Sequence, residues 1–143
     1  IPYWDTGAPG LCKMGNYLDK PADPFNAHEP VDSSAAAIAA QGLIRLGLYY
    51  IDKKQATKGK RYLNVGLTTA NSLFHEPYLS SDTNHQGLLL HSVYHRPNHW
   101  DYIPKGQKVP NGEACMWGDY HLLELALLIS RLGRNETYYQ FFS

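Results

Sequence analysis

The apolar residues of the chain gather in three stretches, separated by long segments with little periodic pattern. The first stretch begins at Asp32, whose carboxylate can accept hydrogen bonds from the free amides of a first helical turn. Small and apolar residues follow at spacings of three and four, which predicts a helix that ends near Tyr50. The stripe expected to face the core is Ala35, Ile38, Gly42 and Leu46.

A second helix is predicted from about Gln55 to Phe74, although Gly59 and Gly66 lower its helix propensity. Pro77 follows and marks the expected exit. The apolar face that we expect for this helix is Tyr62, Val65, Thr69 and Leu73.

The third predicted helix runs from Trp117 to Leu132 and stops at Gly133. Leucines occupy nearly every side of it, a pattern typical of a helix with protein all around it. Two other helices cannot easily surround a third, so the pattern indicates that the fold is incomplete in these residues.

The remaining segments lack helical periodicity. Residues 1–31 and 97–114 are rich in Pro and Gly, which predicts irregular structure that lies over the helices. The apolar run from Gly87 to Pro97 could form a short strand or an extended loop. The pattern as a whole predicts an all-α segment with long loops, in which 1–143 form a single unit.

Composition narrows the function classes. Hydrophobic residues make up 43% and charged residues 18% of the 143 residues, as in a globular domain. The 13 Lys and Arg balance the 13 Asp and Glu, so nucleic acid and anionic membranes are not expected partners. No run reaches the roughly 18 apolar residues of a membrane span.

Three local features bear on processing and compartment. The chain begins at Ile1 with neither an initiator Met nor a signal-peptide pattern, so we expect a processed chain or part of a longer one. The sequon at Asn135 mildly favours a secreted protein with N-glycosylation. Cys12 and Cys115 could form a disulfide or remain free thiols.

Aromatic residues make up 13% of the chain, and 11 of them are Tyr. Tyr and Trp present a flat apolar face and a polar edge, which suits sugar rings, although Tyr also packs at the rim of helical cores.

The ordered motifs of the chain resemble the end of the unsaturated glucuronyl hydrolases, glycoside hydrolase family 88, and of the related rhamnogalacturonyl hydrolases. The matching stretches follow the family's order and cover the chain almost from end to end. They are Pro2–Asp5, Asp32–Ala40, Gly87–His91, Tyr94–Asn98 and Trp117–Tyr120.

The resemblance implies an (α/α)₆ toroid, six helical hairpins around a central pocket, of which this chain would be the C-terminal portion, about the last third. It also implies hydrolysis of Δ4,5-unsaturated uronic acids at oligosaccharide ends. In that chemistry an aspartic acid protonates C4 and water adds at C5. The family's catalytic aspartate lies upstream of the Tyr3-Trp4-Asp5 stretch, so we expect it to be absent here and leave the catalytic residue unassigned.

Six residues are candidates for what we call the sugar-binding wall: Tyr94, His95, Arg96, His91, Trp4 and Trp117. Arg96 or His95 could meet a uronate carboxylate, and Tyr94 could donate to a hydroxyl or stack on a ring. The alternatives are a loop held by its own ion pair, a core imidazole for His91, and packing for the tryptophans.

The acidic residues near these motifs have structural explanations. Asp32 and Asp119 lie at helix starts, where a carboxylate stabilises the free amides. Asp5 is the other acid that merits a test as a proton donor.

Six histidines raise the question of a metal site. They are His28, His75, His85, His95, His99 and His121. No pair has the spacing of a helical zinc motif, and the chain has no phosphate loop or nucleophile elbow. We therefore expect no metal and no cofactor.

Two functions of different class remain after this comparison of motifs. The first is a hydrolase that acts on an oligosaccharide with a uronic acid end, and the second is a lectin-like sugar-binding protein without the acid. Either reading leaves apolar helix faces to be covered by preceding residues of the same protein or by self-association.

Overall fold

The computed structural model describes residues 1–107, 109–110 and 113–139. In that part of the chain it contains three α-helices and no β-strand. They are α1, Ser33–Asp52, α2, Ala56–Leu73, and α3, Met116–Gly133. The predicted all-α class is therefore confirmed, and each predicted helix exists within two residues of its expected ends.

Helix α1 starts where Asp32 caps it. The Asp32 carboxylate accepts hydrogen bonds from the amides of Ser34 at 3.0 Å and Ala35 at 3.3 Å. The predicted core stripe of α1 is wrong, because Ile38 is 48% exposed and Gly42 and Leu46 also face outward. The buried residues of this helix are mostly small, namely Ser33, Ser34, Ala36, Ala37, Ala40, Gln41, Ile44 and Gly47.

Helices α1 and α2 form an antiparallel hairpin whose contact depends on glycine. A Cβ on Gly47 would lie 2.8 Å from the Gly59 carbonyl oxygen, and one on Gly66 would lie 3.0 Å from that of Ala40. The predicted α2 face is also wrong in part, because Val65 is exposed. The glycines that weaken α2 as an isolated helix are the residues that let it approach α1.

Helix α3 packs against α1 and begins beside its first turn. The Trp117 indole nitrogen donates to the Ser34 hydroxyl at 3.1 Å, and the Gln41 side-chain amide donates to the His121 carbonyl at 3.0 Å. Leu122, Leu125 and Leu128 are buried against the core. Other apolar residues of α3 remain exposed, so the described residues do not surround this helix.

The apolar run Gly87–Pro97 is a loop rather than a strand, which agrees with one of the two predicted alternatives, and it ends in a 3₁₀ turn that begins at Arg96. An isolated bridge joins Leu79 and Leu89, and the buried Leu89 joins the core of the three helices. The Asp119 carboxylate accepts from the Leu89 amide at 2.7 Å and from the Leu88 amide at 3.0 Å. Asp119 therefore ties α3 to this segment, a structural role beyond the helix-start stabilisation that we expected.

One helix, α1, is long and apolar enough to cross a membrane by length and composition alone. The core helix of a soluble protein passes the same test. In this structure α1 lies between α2 and α3 and contacts both.

Candidate functional site

The loop that carries Tyr94, His95 and Arg96 is shaped by Asp101. Its carboxylate accepts hydrogen bonds from the amides of Tyr94 and, at 3.2 Å, of His95. The short 3₁₀ turn Arg96–Asn98 follows, with Pro97 in its first turn, where a missing N–H costs little. The loop thus holds its own backbone through an internal carboxylate and through the His95 ring, whose Nδ1 accepts from the Asn98 amide at 3.3 Å.

A buried carboxylate, Glu29, joins this loop to the start of the chain. Glu29 is only 2% exposed. It accepts from the Trp4 indole nitrogen at 2.7 Å and from the Gly10 amide at 2.7 Å, and Arg96 Nε lies 3.4 Å from it. We call these four residues the Glu29 cluster. Two residues of the sugar-binding wall, Trp4 and Arg96, are therefore brought together by a residue that the sequence did not single out.

Local backbone pairing explains how Glu29 comes to lie beside Trp4. The amide of Trp4 donates to the Pro30 carbonyl at 3.1 Å, and Tyr3 pairs with Val31 in an isolated bridge. Gly10 is required by the close approach, since a Cβ there would lie 2.6 Å from Glu29 Oε1. The irregular first segment is thus folded back on itself by a few specific contacts between its start and its end.

A cavity of about 340 Å³ opens at the Glu29 cluster. Its walls are mostly rings and aliphatic groups, with a few charged or polar groups among them, which is the usual composition of a small-molecule site. It is lined by Trp4, Pro9, Glu29, Arg96, Pro97, His99, Asp101, Ile103 and Pro110. The guanidinium of Arg96 lies 5.9 Å from the centre of the Trp4 ring, close enough for a cation–π contact.

Tyr94 and Trp117 lie together on another face of the same loop. Their rings stack with centroids 5.1 Å apart and an angle of 28° between planes. The Trp117 indole is fixed to α1 through Ser34, whose hydroxyl in turn donates to Asp32 at 2.6 Å. Both residues are therefore held in place, and the rings of this pair are not among the cavity-lining residues.

His91 is placed in the interior, with 4% of its surface exposed. Its ring lies edge-on between Phe25, at 5.1 Å, and Tyr78, at 5.7 Å. Burial lowers the pKa of His91, because a charged imidazole would lose its hydration there. This burial favours the core imidazole among our two alternatives and gives the ligand role no support, so that role stays a prediction.

The acidic side chains near the cavity are already engaged. Glu29 and Asp101 hold the contacts described above, and neither Asp32 nor Asp119 lines the cavity. Asp5 accepts from the Gly7 amide at 2.6 Å and is exposed, also outside that lining. The described residues therefore offer the cavity no acid without a backbone or ion-pair partner.

In the part of the chain that the structure describes, side chains are not arranged to bind a metal ion, and the two cysteines do not form a disulfide. No group of three His, Cys, Asp or Glu side chains is placed to hold a metal ion there. Cys12 is exposed, Cys115 is buried, and the two are not bonded to each other. Asn135, the sequon residue, is exposed just after α3.

Glu29, Asp101 and Trp100 were not among the site residues predicted from the sequence. Each lies in a segment without periodicity, so its contacts depend on where distant parts of the chain meet. A possible signal for Glu29 was its place among apolar and proline residues, next to Pro30 and Val31, where a charge needs a partner.

Comparison with known proteins agrees with the motifs. The chain is similar to a protein described as an unsaturated glucuronyl hydrolase from Formosa agariphila, with 31% identity over 124 residues. The alignment covers 87% of this chain and 24% of that protein, so the chain spans about a quarter of its relative's length. No family model and no solved structure matches the chain.

Proposed function

We propose that this chain belongs to a glycoside hydrolase that removes unsaturated uronyl residues from oligosaccharides, and that it contributes part of the sugar-binding wall. The similarity to the Formosa agariphila protein supports a hydrolase of that family. The observation that carries the proposal is the meeting of Trp4 and Arg96 at one cavity, across Glu29.

Arg96 would bind the uronate carboxylate. Glu29 engages its Nε, and among the described residues no ion pair or hydrogen bond is found at its two terminal nitrogens. A guanidinium presents paired N–H groups in a plane, which matches the two oxygens of a carboxylate. Trp4, which also lines the cavity, would pack against the sugar ring beside that ion pair.

The reaction in this proposal is hydration of the C4=C5 double bond. A carboxylic acid gives a proton to C4, the hydroxyl of a water molecule adds to C5, and the acid recovers a proton from that water. The resulting hemiketal opens and releases the remaining sugar. The residues of this chain would bind and orient the uronate, and the acid that protonates C4 stays unassigned.

Substitution of Arg96 tests this proposal in the full-length protein. We expect Arg96→Ala to weaken binding of an unsaturated glucuronyl disaccharide roughly tenfold to a hundredfold, the value of one charge-assisted contact. Arg96→Lys keeps the charge without the planar pair of N–H groups, so its affinity should lie between those of the wild type and Arg96→Ala. Isothermal titration calorimetry gives the affinities, and loss of the ultraviolet absorbance of the conjugated double bond gives the rate.

Arg134→Ala is the matched control, because Arg134 is an exposed arginine that pairs only with Glu136 among the described residues. It should leave the affinity and the rate unchanged. If Arg96→Ala folds normally and its kinetic constants equal those of the wild type, Arg96 does not bind the substrate.

The second candidate function is that of a lectin-like protein. It is favoured because Glu29 and Asp101, the acids that line the cavity, are already engaged in other contacts. A protein of this kind would bind uronate-containing oligosaccharides and turn none over at any pH. The same titration and absorbance assay separate the two functions, since the hydrolase shows both binding and turnover.

A further inference from the structure

The loop after Tyr94 carries an exposed row of aromatic rings that the cavity does not use. Trp100 lies 5.8 Å from the Tyr94 ring at an angle of 39° and 5.1 Å from the His95 ring at 46°. Tyr94 in turn stacks on Trp117. We call Trp117, Tyr94 and Trp100 the aromatic row. Trp100 is 61% exposed and Tyr94 is 51% exposed, so part of each ring is accessible among the described residues.

The inner part of the aromatic row, Trp117 and Tyr94, is fastened to the rest of the fold. Trp117 is bonded to Ser34 at the start of α1, and Asp101 holds the backbone of Tyr94 from within the loop. The exposed Tyr94 and Trp100 rings leave apolar area in water, which favours a ligand that covers them. Because Trp117 and the Tyr94 backbone are already fixed, binding there would cost little conformational entropy of that part of the protein.

The chemistry of the row differs from that of the cavity. Arg96 has its guanidinium over the Trp4 ring and beside Glu29. The His95 ring contacts Trp100, but its Nδ1 already accepts from the Asn98 amide at 3.3 Å. The Asp101 carboxylate is engaged by backbone amides. An aromatic face is electron-rich and packs against the C–H face of a pyranose, whereas a carboxylate gains nothing there. The row therefore suits an uncharged sugar ring.

We infer that the aromatic row, with Trp100 as its outer ring, binds an uncharged pyranose unit of the oligosaccharide whose uronate end meets Arg96. The inference rests on the proposed function for the identity of the ligand as an oligosaccharide. It makes Trp100 a binding residue. The face of the loop with Arg96 would bind the uronate end of the ligand, and the face with the aromatic row would bind an uncharged ring of the same ligand.

Two probes distinguish binding at Arg96 from binding at the aromatic row in the full-length protein. One is the methyl glycoside of an unsaturated uronic acid, which has a single charged ring. The other is a trisaccharide with the same unsaturated end followed by two uncharged hexose rings. Trp100→Ala should weaken trisaccharide binding roughly fivefold to tenfold and leave the methyl glycoside unchanged. Trp100→Phe keeps a stacking face and should retain most of the affinity.

Tyr102→Ala is the control, because Tyr102 is an exposed ring of the same loop without a ring contact among the described residues. It should bind both probes as the wild type does. Equal effects of Trp100→Ala on both probes, or no effect on either, would overturn the inference.

A third probe, a trisaccharide of three uncharged hexose rings, keeps this inference distinct from the proposed function. Binding that depends on Trp100 while the uronate glycoside fails to bind would reject the uronate site and retain the aromatic row. Uronate binding that depends on Arg96 and ignores Trp100 would retain the proposed function and reject the row. If the wild type binds none of the three probes, both are wrong.

Discussion

Glu29 Oε2 lies 3.4 Å from Arg96 Nε, and the Glu29 side chain is almost fully removed from water. A carboxylate in such a place is retained only when hydrogen bonds and an opposite charge replace its hydration. Glu29 has all of these in Trp4, Gly10 and Arg96. The contact therefore ties together two segments that are far apart in the sequence.

Removing Glu29 should destabilise the protein strongly. Glu29→Ala leaves the Arg96 charge and two N–H donors without their acceptor, and we expect a loss of about 3 kcal/mol in the free energy of unfolding. Urea denaturation followed by tryptophan fluorescence measures it. Glu136→Ala removes an exposed carboxylate that pairs with Arg131 and Arg134, and it should cost less than about 1 kcal/mol. Equal losses in the two variants would show that the burial of Glu29 has no energetic weight.

The helix hairpin offers a matched pair of glycines in α1. A Cβ on Gly47 would lie 2.7 Å from the Leu63 amide nitrogen, whereas one on Gly42 meets nothing within 4 Å. Gly47→Ala should therefore lower the unfolding free energy by about 1–3 kcal/mol. Gly42→Ala should raise it by up to about 1 kcal/mol through helix propensity. Thermal denaturation monitored by circular dichroism distinguishes the signs, and stabilisation by both changes would contradict the close contact.

His91 should make stability depend on pH. Its pKa in the folded protein is lowered by burial below the ordinary value of 6.5, so the unfolded chain binds a proton more readily. The stabilisation that this shifted pKa of His91 contributes to the free energy of unfolding is complete above pH 6.5. It is lost as the pH falls from there toward the folded-state pKa. Unfolding free energies measured between pH 7.5 and pH 5 should therefore fall less steeply in His91→Asn.

Asparagine suits this experiment because His91 has a φ of 63°, a left-handed conformation that Asn tolerates. The lost ring packing lowers stability at every pH, so the slope is the informative quantity. An unchanged slope would mean that His91 does not titrate differently in the folded and unfolded states.

Helix α3 carries an exposed apolar stripe at helical spacing. It consists of Met116, Tyr120, Leu123 and Leu127. The 143-residue chain by itself should therefore associate at micromolar concentrations, and the double variant Leu123→Lys/Leu127→Lys should shift it toward the monomer. Sedimentation velocity over a concentration series measures this. Thr57→Lys, which adds a charge to the exposed Thr57 of α2, away from this stripe, is the control. A wild-type chain that stays monomeric throughout would contradict the expectation.

The helices were predictable because their signals are local. Asp32 caps α1 within three residues, and the apolar runs are long enough to define each helix. The buried face of α1 was not predictable, because two stripes of this helix have helical spacing. Which of the two is buried depends on the size of the residues in α2. Ile38 is more apolar than Ala40, yet Ala40 is buried where α2 comes close, and a Cβ on Gly66 would lie 3.0 Å from the Ala40 carbonyl oxygen.

The candidate site was predictable only in part. The motif residues Trp4 and Arg96 do meet at one cavity, but the residue that joins them, Glu29, lies in a segment whose conformation depends on pairing with the first residues of the chain. Trp100 was missed for a similar reason, since a single Trp in a proline-rich segment gives no indication of the rings beside it. Contacts of this kind are set by tertiary structure alone.

One oxygen of Asp32 serves two parts of the molecule. Oδ1 accepts from Ser34 and Ala35 at the first turn of α1 and, at 3.4 Å, from the amide of Val93, the residue just before Tyr94. The loop that carries Tyr94 and the start of α1 are thus fastened at a common point. A ligand that immobilises the loop should slow hydrogen–deuterium exchange at the Ser34 and Ala35 amides, so the start of α1 would report occupancy without touching the ligand.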